Sequence, residues 1–302
     1  MAGPDDIRPG LDDKLEHLIQ RFSPGSRLLR AWPLHGGVSA QTTAFEIERA
    51  DGGIEKLVVR RHGKWDLARH PRIAADEFAL LQVLHEAGIA VPEPRHLDDA
   101  GEVFAVPCVV LDYVEGQTEL APRDLDDYLA RIARWLAELH AFDTDRVPFL
   151  RQTEASTIEI DPSSLTGAAA AALRRMRPPA QVNRSVLLHG DFWPGNILWR
   201  DGGLVAVIDW EDASIGDPLL DLSVSRLELL WAFGLEAMRR FTELYGTNTA
   251  VDLGNLACWD LYVAAGAAGD LASWGLDPAT EQSMREQLAW FAERACVRLP
   301  AA

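Results

Sequence analysis

The chain has 302 residues, 48% of them hydrophobic, with 46 Asp and Glu against 29 Lys and Arg, a net charge of −17. That length supports one large domain or two lobes with cores of their own, and that charge repels nucleic acid and argues against it as a partner. No apolar run reaches the length of a membrane span, since the longest candidate, residues 103–114, is interrupted by Pro107 and Asp112.

The opening MAGPDDIRPG lacks the basic-then-apolar pattern of a signal peptide. Cys108, Cys258 and Cys296 are scattered without disulfide or metal spacing, which suits buried thiols in a reducing cytoplasm, the expected location. Leu11, Leu15, Leu18, Ile19 and Phe22 recur at helical spacing and predict an amphipathic helix over 11–22, ended by Pro24-Gly25. Strands are expected over 27–33 and 42–48, and over 56–61 after an Asp51-Gly52-Gly53 hairpin turn. Between the first two lies Gly36-Gly37-Val38-Ser39. Glycines there let backbone N–H groups approach an anion, although most Gly-Gly pairs are plain turns. On the third strand, alternation puts Val58 and Arg60 on one face and Val59 and Arg61 on the other. A helix over 73–87 has an apolar stripe of Ala74, Phe78, Leu81 and Leu84, with Glu77 inside it. A carboxylate on a buried face needs a partner, and Arg60 is the candidate. Gly88 closes that helix, residues 91–94 form an extended linker, and strands are expected over 95–98 and 103–113.

Past Gly116 the pattern turns helical. A helix opening at Pro122-Arg123-Asp124 carries Leu125, Tyr128, Ile132, Trp135 and Leu139 on one face and ends near His140, which reads as a structural histidine. An Ala-rich helix follows over 166–176. Residues 187–211, LLHGDFWPGNILWRDGGLVAVIDWE, hold the groups with chemistry: Asp191, Asn196 and Asp209. Strands over 197–199 and 204–208 flank Asp201-Gly202-Gly203, and a turn centred between Gly202 and Gly203 would set Asn196 opposite Asp209. An amide oxygen beside a carboxylate is a hard donor pair suited to Mg²⁺. Asp191, five residues before Asn196, is then left to act as a base. Taken singly, these residues are ordinary turn formers. Asp217 and Asp221 flank Pro218, an arrangement in which an N-cap role alone accounts for Asp217. Helices are expected over 219–232, 235–245, 252–273 and 279–298, bearing Trp231, Trp259, Trp274 and Trp290 as core residues first and as acceptor-pocket walls second. Residues 201–302 carry 16 Asp and Glu against 6 Arg and no Lys, a net of −10 that either attracts a cationic substrate or serves solubility.

His189-Gly190-Asp191, four residues, Asn196, and then Ile208-Asp209-Trp210-Glu211 resemble the aminoglycoside phosphotransferase family, a branch of the protein-kinase-like fold. The resemblance implies an α+β, two-lobed chain. Residues 1–115 would form a nucleotide-binding lobe with an antiparallel sheet. Residues 116–302 would form a mainly helical lobe with the catalytic loop and acceptor site. The implied reaction is transfer of the γ-phosphate of ATP or GTP to a hydroxyl of an aminoglycoside-like or other small acceptor. Asp191 would be the base, and Asn196 and Asp209 would hold Mg²⁺. Gly36, Gly37, Val38 and Ser39 would grip the phosphates together with Arg60, oriented by Glu77. The hinge backbone at Asp112 and Val114 would pair with the adenine.

Two departures stand out. The loop lacks the three-glycine pattern of protein kinases, and Arg60 stands where the related kinases place Lys, with Arg61 left as an alternative phosphate ligand. The acceptor stays open among amine-bearing, macrolide-like and choline-, homoserine- or sugar-like molecules. A nucleotide-binding pseudokinase with a regulatory or scaffold role is the rival, and it rests on Arg60. A protein kinase is disfavoured, because no Ala-Pro-Glu motif follows Asp209.

Overall fold

A computed structural model describes residues 10–34 and 40–299. These divide into two compact units. One holds the described residues up to Gly116 together with Val205–Glu211; the other holds Gln117–Leu204 and the chain from Asp212 onward.

The first unit begins with α1 (Leu11–Phe22), which buries Leu15, Leu18 and Ile19 completely, as the helical spacing requires. Then come β1 (Arg27–Pro33), β2 (Ala40–Glu48), β3 (Ile54–His62), α2 (Lys64–Arg69), α3 (Ile73–Glu86), β4 (Pro94–Asp98) and β5 (Cys108–Asp112). The strands form one antiparallel sheet in the order β1-β2-β3-β5-β4. Phe45, Ile47, Leu57, Val59, Cys108 and Val110 cluster with the buried residues of α1. They follow the two-residue period of a strand, so the intervening positions, among them Val58 and Arg60, point to the opposite face. Each fully buried Leu or Ile of this cluster contributes about 1.5–3 kcal/mol.

The expected strand over 103–113 is realised only as β5. The Asp98 carboxylate accepts hydrogen bonds from the N–H groups of Glu102 and Val103, both at 3.0 Å. Ala105 adopts φ 61°, which no strand residue does. Side-chain capping by Asp98 therefore folds residues 99–107 into turns before the strand can start.

The second unit contains β6 (Gln117–Thr118), α4 (Leu125–His140), β7 (Gln152–Thr153), α5 (Gly167–Arg175), β8 (Val186–Leu188), β9 (Ile197–Arg200) and the start of β10 (Gly203–Val207). It continues with β11 (Ser214–Gly216), α6 (Leu219–Phe233), α7 (Leu235–Asn248), α8 (Leu256–Asp270) and α9 (Pro278–Arg298). β8 pairs antiparallel with β11, which pairs parallel with β7, and β6 pairs antiparallel with β9. The long helices pack α4 on α7, α6 on α7 and α8, and α8 on α9. Asp124 caps α4 by accepting from the Asp127 N–H at 3.0 Å, and Asp277 caps α9 ahead of Pro278. Among the described residues no helix is long and apolar enough to cross a membrane.

The turn between β9 and β10 falls one residue earlier than expected. Asp201 and Gly202 both have positive φ, 52° and 76°, as a two-residue type I′ turn demands. With Arg200 ending one strand and Gly203 opening the next, the register that set Asn196 directly opposite Asp209 does not hold.

Inside the helical unit, Arg226 of α6 forms a two-pronged ion pair with Asp260 of α8, Nε to Oδ1 at 3.0 Å and Nη2 to Oδ2 at 2.9 Å, and both side chains are buried. Thr242 of α7 takes a third hydrogen bond at 2.7 Å. Arg226→Ala strands the Asp260 charge and should destabilise the protein by about 3–5 kcal/mol. Urea denaturation would measure the loss, and a change below about 1 kcal/mol would refute the role given to this pair.

Candidate active site

The segment after β8 is held by a single carboxylate. Asp221, fully buried in the first turn of α6, accepts the His189 N–H at 2.7 Å and the Gly190 N–H at 2.8 Å. Burial alone would raise the Asp221 carboxyl, but His140 beside it and the neighbouring His189 lower it below its ordinary value. His140 lies 3.2 Å from Asp221 through Nε2, and its Nδ1 is 2.7 Å from the Tyr245 hydroxyl. His140 is thus structural, as its place at a helix end indicated. Gly190 has φ 89°, and a Cβ there would meet the Asp212 carbonyl oxygen at 2.6 Å. No other residue fits without a shift.

The chain then dips into the core at Phe192, which stacks on Trp135 at 5.2 Å between centroids and accepts the Ser225 hydroxyl at its carbonyl, 2.9 Å away. The Trp193 ring lies over Gly195 so closely that a Cβ would come within 2.2 Å of it. Pro194–Asn196 forms one turn of 3₁₀ helix. This compact turn brings two of the expected residues together. The Asn196 Nδ2 donates to both the Asp191 carbonyl and Asp191 Oδ2, each at 2.9 Å. With its donors turned to Asp191, the Asn196 amide presents its oxygen the other way.

The first unit holds the remaining charged candidates. Arg60 is buried on β3. Its Nη2 donates to Asp209 Oδ1 at 2.8 Å and to Glu211 Oε2 at 3.0 Å, and its Nε lies 3.6 Å from Glu77 Oε1. Burial opposes the Arg60 charge, but Glu77, Asp209 and Glu211 outweigh it and raise its pKa further. Glu77, on α3, is likewise pushed up by burial and pulled back below its ordinary value by Arg60 and His62. Asp209 adopts φ 70°, a left-handed conformation that Asp tolerates better than most residues and that marks local strain. Arg61 points the other way, to the Thr43 hydroxyl at 3.4 Å and over the Phe104 ring.

Asp112 ends β5, its N–H donating to the Glu93 carbonyl at 2.9 Å, and the Tyr113 N–H donates to Lys56. Val114 follows beyond the strand end. Gly36, Gly37, Val38 and Ser39 lie outside the described residues.

The Asn196 amide oxygen and the second Asp209 carboxylate oxygen are each hard donors of the kind that Mg²⁺ binds.

Three residues escaped the sequence reading. His62 sits two positions after Arg60, on the same strand face, with Nε2 3.1 Å from Glu77 Oε2 and Nδ1 3.7 Å from Glu211 Oε2. Extending the alternation from Arg60 would have found it. Glu211 appears in the sequence only as the last residue of the Ile208–Glu211 motif, with no role assigned to it. Glu228 lies on α6 and acts electrostatically on Asp191; its offset of seven from Asp221 was the available signal. Of the four tryptophans, Trp259 is core, whereas Trp231 is half-buried, donates to the Met284 carbonyl at 3.1 Å and packs edge-on against Trp274.

The sequence profile of the Phosphotransferase enzyme family matches residues 31–262. Among solved structures, aminoglycoside 2′-phosphotransferase-IIIa in its GDP complex has a TM-score of 0.64 at 20% identity, over 93% of this chain and 99% of that one. Choline kinase from Streptococcus pneumoniae has a TM-score of 0.63 at 17% identity, over 94% and 99%. Macrolide 2′-phosphotransferase from Brachybacterium faecium has 0.61 at 20%, over 91% and 98%. At these identities the likeness is one of fold, an antiparallel sheet followed by a helical region, as in protein kinases. Among curated sequences, acyl-CoA dehydrogenase family member 11 from Gallus gallus is 25% identical over 210 residues, which is 62% of this chain and 27% of that protein. The chain spans about a quarter of the length of the first curated relatives it matches.

His62 carries a pH signature. Burial would lower its pKa, but Glu211 and Glu77 raise it to about 9. Its stabilising contribution is complete below the unfolded value of about 6.5 and is lost as pH rises through about 9. Denaturant midpoints of wild type and His62→Asn, measured from pH 6 to 10, should converge by up to about 3 kcal/mol over that window. A gap that does not change with pH would mean that His62 is uncharged in the folded protein.

Proposed function

The chain belongs to the phosphotransferase enzyme family, and from that premise we propose that it is a small-molecule kinase that moves the γ-phosphoryl group of ATP or GTP to a small acceptor. In this reading it is a phosphotransferase with an alcohol as acceptor. In the proposed reaction the acceptor's hydroxyl oxygen attacks the γ-phosphorus and the bond from that phosphorus to the β–γ bridging oxygen breaks. The hydroxyl proton passes to Asp191, and the nucleoside diphosphate leaves. Such transfer is mainly a matter of positioning and charge, so a rigid base and fixed charges are what the protein must supply.

The observation that carries the reading is the 189–196 loop. Asp221 fixes its backbone, and the Asn196 amide fixes the Asp191 carboxylate. Held in this way, the Asp191 carboxylate would take the hydroxyl proton. Asn196 and Asp209 would each give an oxygen to Mg²⁺, which when bound neutralises charge on the phosphates. Arg60, kept charged and oriented by Glu77, would turn toward phosphate oxygens together with the Gly36–Ser39 loop. The backbone at Asp112 and Val114 would meet the nucleobase. The acceptors named for similar proteins range over aminoglycosides, macrolides and choline. The net charge of −10 over residues 201–302 favours acceptors that are cationic or neutral over anionic ones.

The direct test is nucleoside diphosphate release with Mg²⁺ against a panel of amino-sugars, macrolides, amino alcohols and sugars. Asp191→Ala should lower kcat by about 10²–10⁴-fold while the Kd of the Mg-nucleotide stays within about threefold. Wild-type-like turnover in that variant would sink the assignment. Asp209→Ala should instead remove the Mg²⁺ dependence of nucleotide binding, read by calorimetry with and without the metal.

A further inference from the structure

β3 carries two buried cations on one face. Arg60 and His62 lie two residues apart on that strand, paired across the sheet with Thr42 and Ala40 of β2. The His62 ring is closed off from solvent and lies between two carboxylates from distant stretches of the chain. Nε2 is 3.1 Å from Glu77 Oε2, on α3, and Nδ1 is 3.7 Å from Glu211 Oε2, beyond the end of β10. An ionised carboxylate only accepts, and a neutral imidazole would aim the lone pair of one ring nitrogen at one of them. Both nitrogens therefore carry protons, and the ring is a cation. Burial opposes that charge, but Glu211 and Glu77 raise the His62 pKa to about 9.

The same two carboxylates draw on Arg60. Its Nε is 3.6 Å from Glu77 Oε1 and its Nη2 is 3.0 Å from Glu211 Oε2. His62 is thus the nearer cation to Glu77, whose side chain is almost wholly buried. All four residues belong to the first unit. A carboxylate shut away from water must keep a countercharge, and losing it is strongly unfavourable. With Arg60 as sole countercharge, turning the guanidinium to a nucleotide phosphate would strand Glu77. With His62 in place, Glu77 stays paired whichever way the arginine points.

We propose that His62 is a positioning residue of the nucleotide-phosphate grip: as standing countercharge of Glu77 and Glu211, it loosens their hold on Arg60 and lets that guanidinium turn to the phosphates. It touches neither nucleotide nor acceptor and moves no proton in the reaction. The departure at position 60 then has its complement two residues further on. An arginine, whose planar fork can engage several carboxylates at once, is accompanied by a second cation that takes a share of them. The inference rests on the phosphotransfer reading and deepens the nucleotide side of that site.

The test is equilibrium binding, by calorimetry at neutral pH, of Mg-ADP and Mg-GDP and of the phosphate-free adenosine and guanosine. The variants are His62→Asn, which removes the cation, Glu211→Gln, which removes one carboxylate charge, and the two together. His62→Asn should weaken the better-bound diphosphate about tenfold and leave its nucleoside within about twofold, because Arg60 meets only the phosphates. Glu211→Gln alone should tighten the diphosphate. The double variant should return to within about threefold of wild type, since cation and carboxylate are then lost together.

An unchanged diphosphate Kd in His62→Asn, an equal loss for diphosphate and nucleoside, or a double variant no better than His62→Asn would overturn the proposal. The equal loss is what a merely structural histidine would give. Should His62→Asn fail to fold, Glu211→Gln decides, because unaltered or weaker diphosphate binding there overturns the proposal by itself. Failure of wild type to bind either diphosphate would overturn the functional reading instead.

Discussion

A buried carboxylate, Asp221, spends both of its oxygens on two consecutive backbone N–H groups, and the 189–196 loop hangs from that contact. Such an arrangement is stable only while the carboxylate stays charged in a place without water. His140 provides for this from α4, and Tyr245 on α7 holds the imidazole in turn. Three helices thereby converge on one peptide segment. The loop needs no regular structure of its own because its geometry is imposed from beneath. Gly190 and Gly195 admit the two close approaches that the bend requires, and Phe192 anchors it against Trp135.

The charges of the first unit follow a different logic. Arg60, His62, Glu77, Asp209 and Glu211 form one dense set in which Arg60 reaches all three carboxylates and His62 reaches Glu77 and Glu211. With His62 protonated, three carboxylates face two cations. Arginine at position 60 turns Nη2 to Asp209 and Glu211 and Nε toward Glu77, so two nitrogens of one planar group face three carboxylates.

Much of this was readable from residue patterns, and the exceptions share causes. The helix Leu11–Phe22 and the strand Arg27–Pro33 follow directly from their apolar periods and flanking turn residues. Residues 103–107 have the apolar pattern of a strand, but the force against it is a side chain: Asp98 captures the N–H groups of Glu102 and Val103. The hairpin turn lies one residue before the Gly202-Gly203 pair because Asp201 itself takes a left-handed conformation. Strands of two or three residues, such as Gln117–Thr118 and Ser214–Gly216, carry no period at all. Asp191 and Asn196 were legible as a pair because both lie in one short turn. The surroundings of Arg60 were legible only as far as Glu77, since Glu211 arrives from a distant part of the chain.

That last residue belongs to a segment with an unusual history in the chain. Val205–Glu211 groups with the first unit, although the chain before and after it belongs to the second. The Val207 N–H donates to the Ala90 carbonyl at 2.8 Å, and Asp209 and Glu211 both reach Arg60. A growing polypeptide that has emerged only as far as Gly116 therefore carries a buried arginine and histidine with one carboxylate between them. The first unit is not autonomous during synthesis: its charge set closes only after some ninety further residues have been made. Cotranslational folding of this protein is thus expected to run out of chain order, with the amino-terminal sheet waiting on a seven-residue strip from the other half of the sequence.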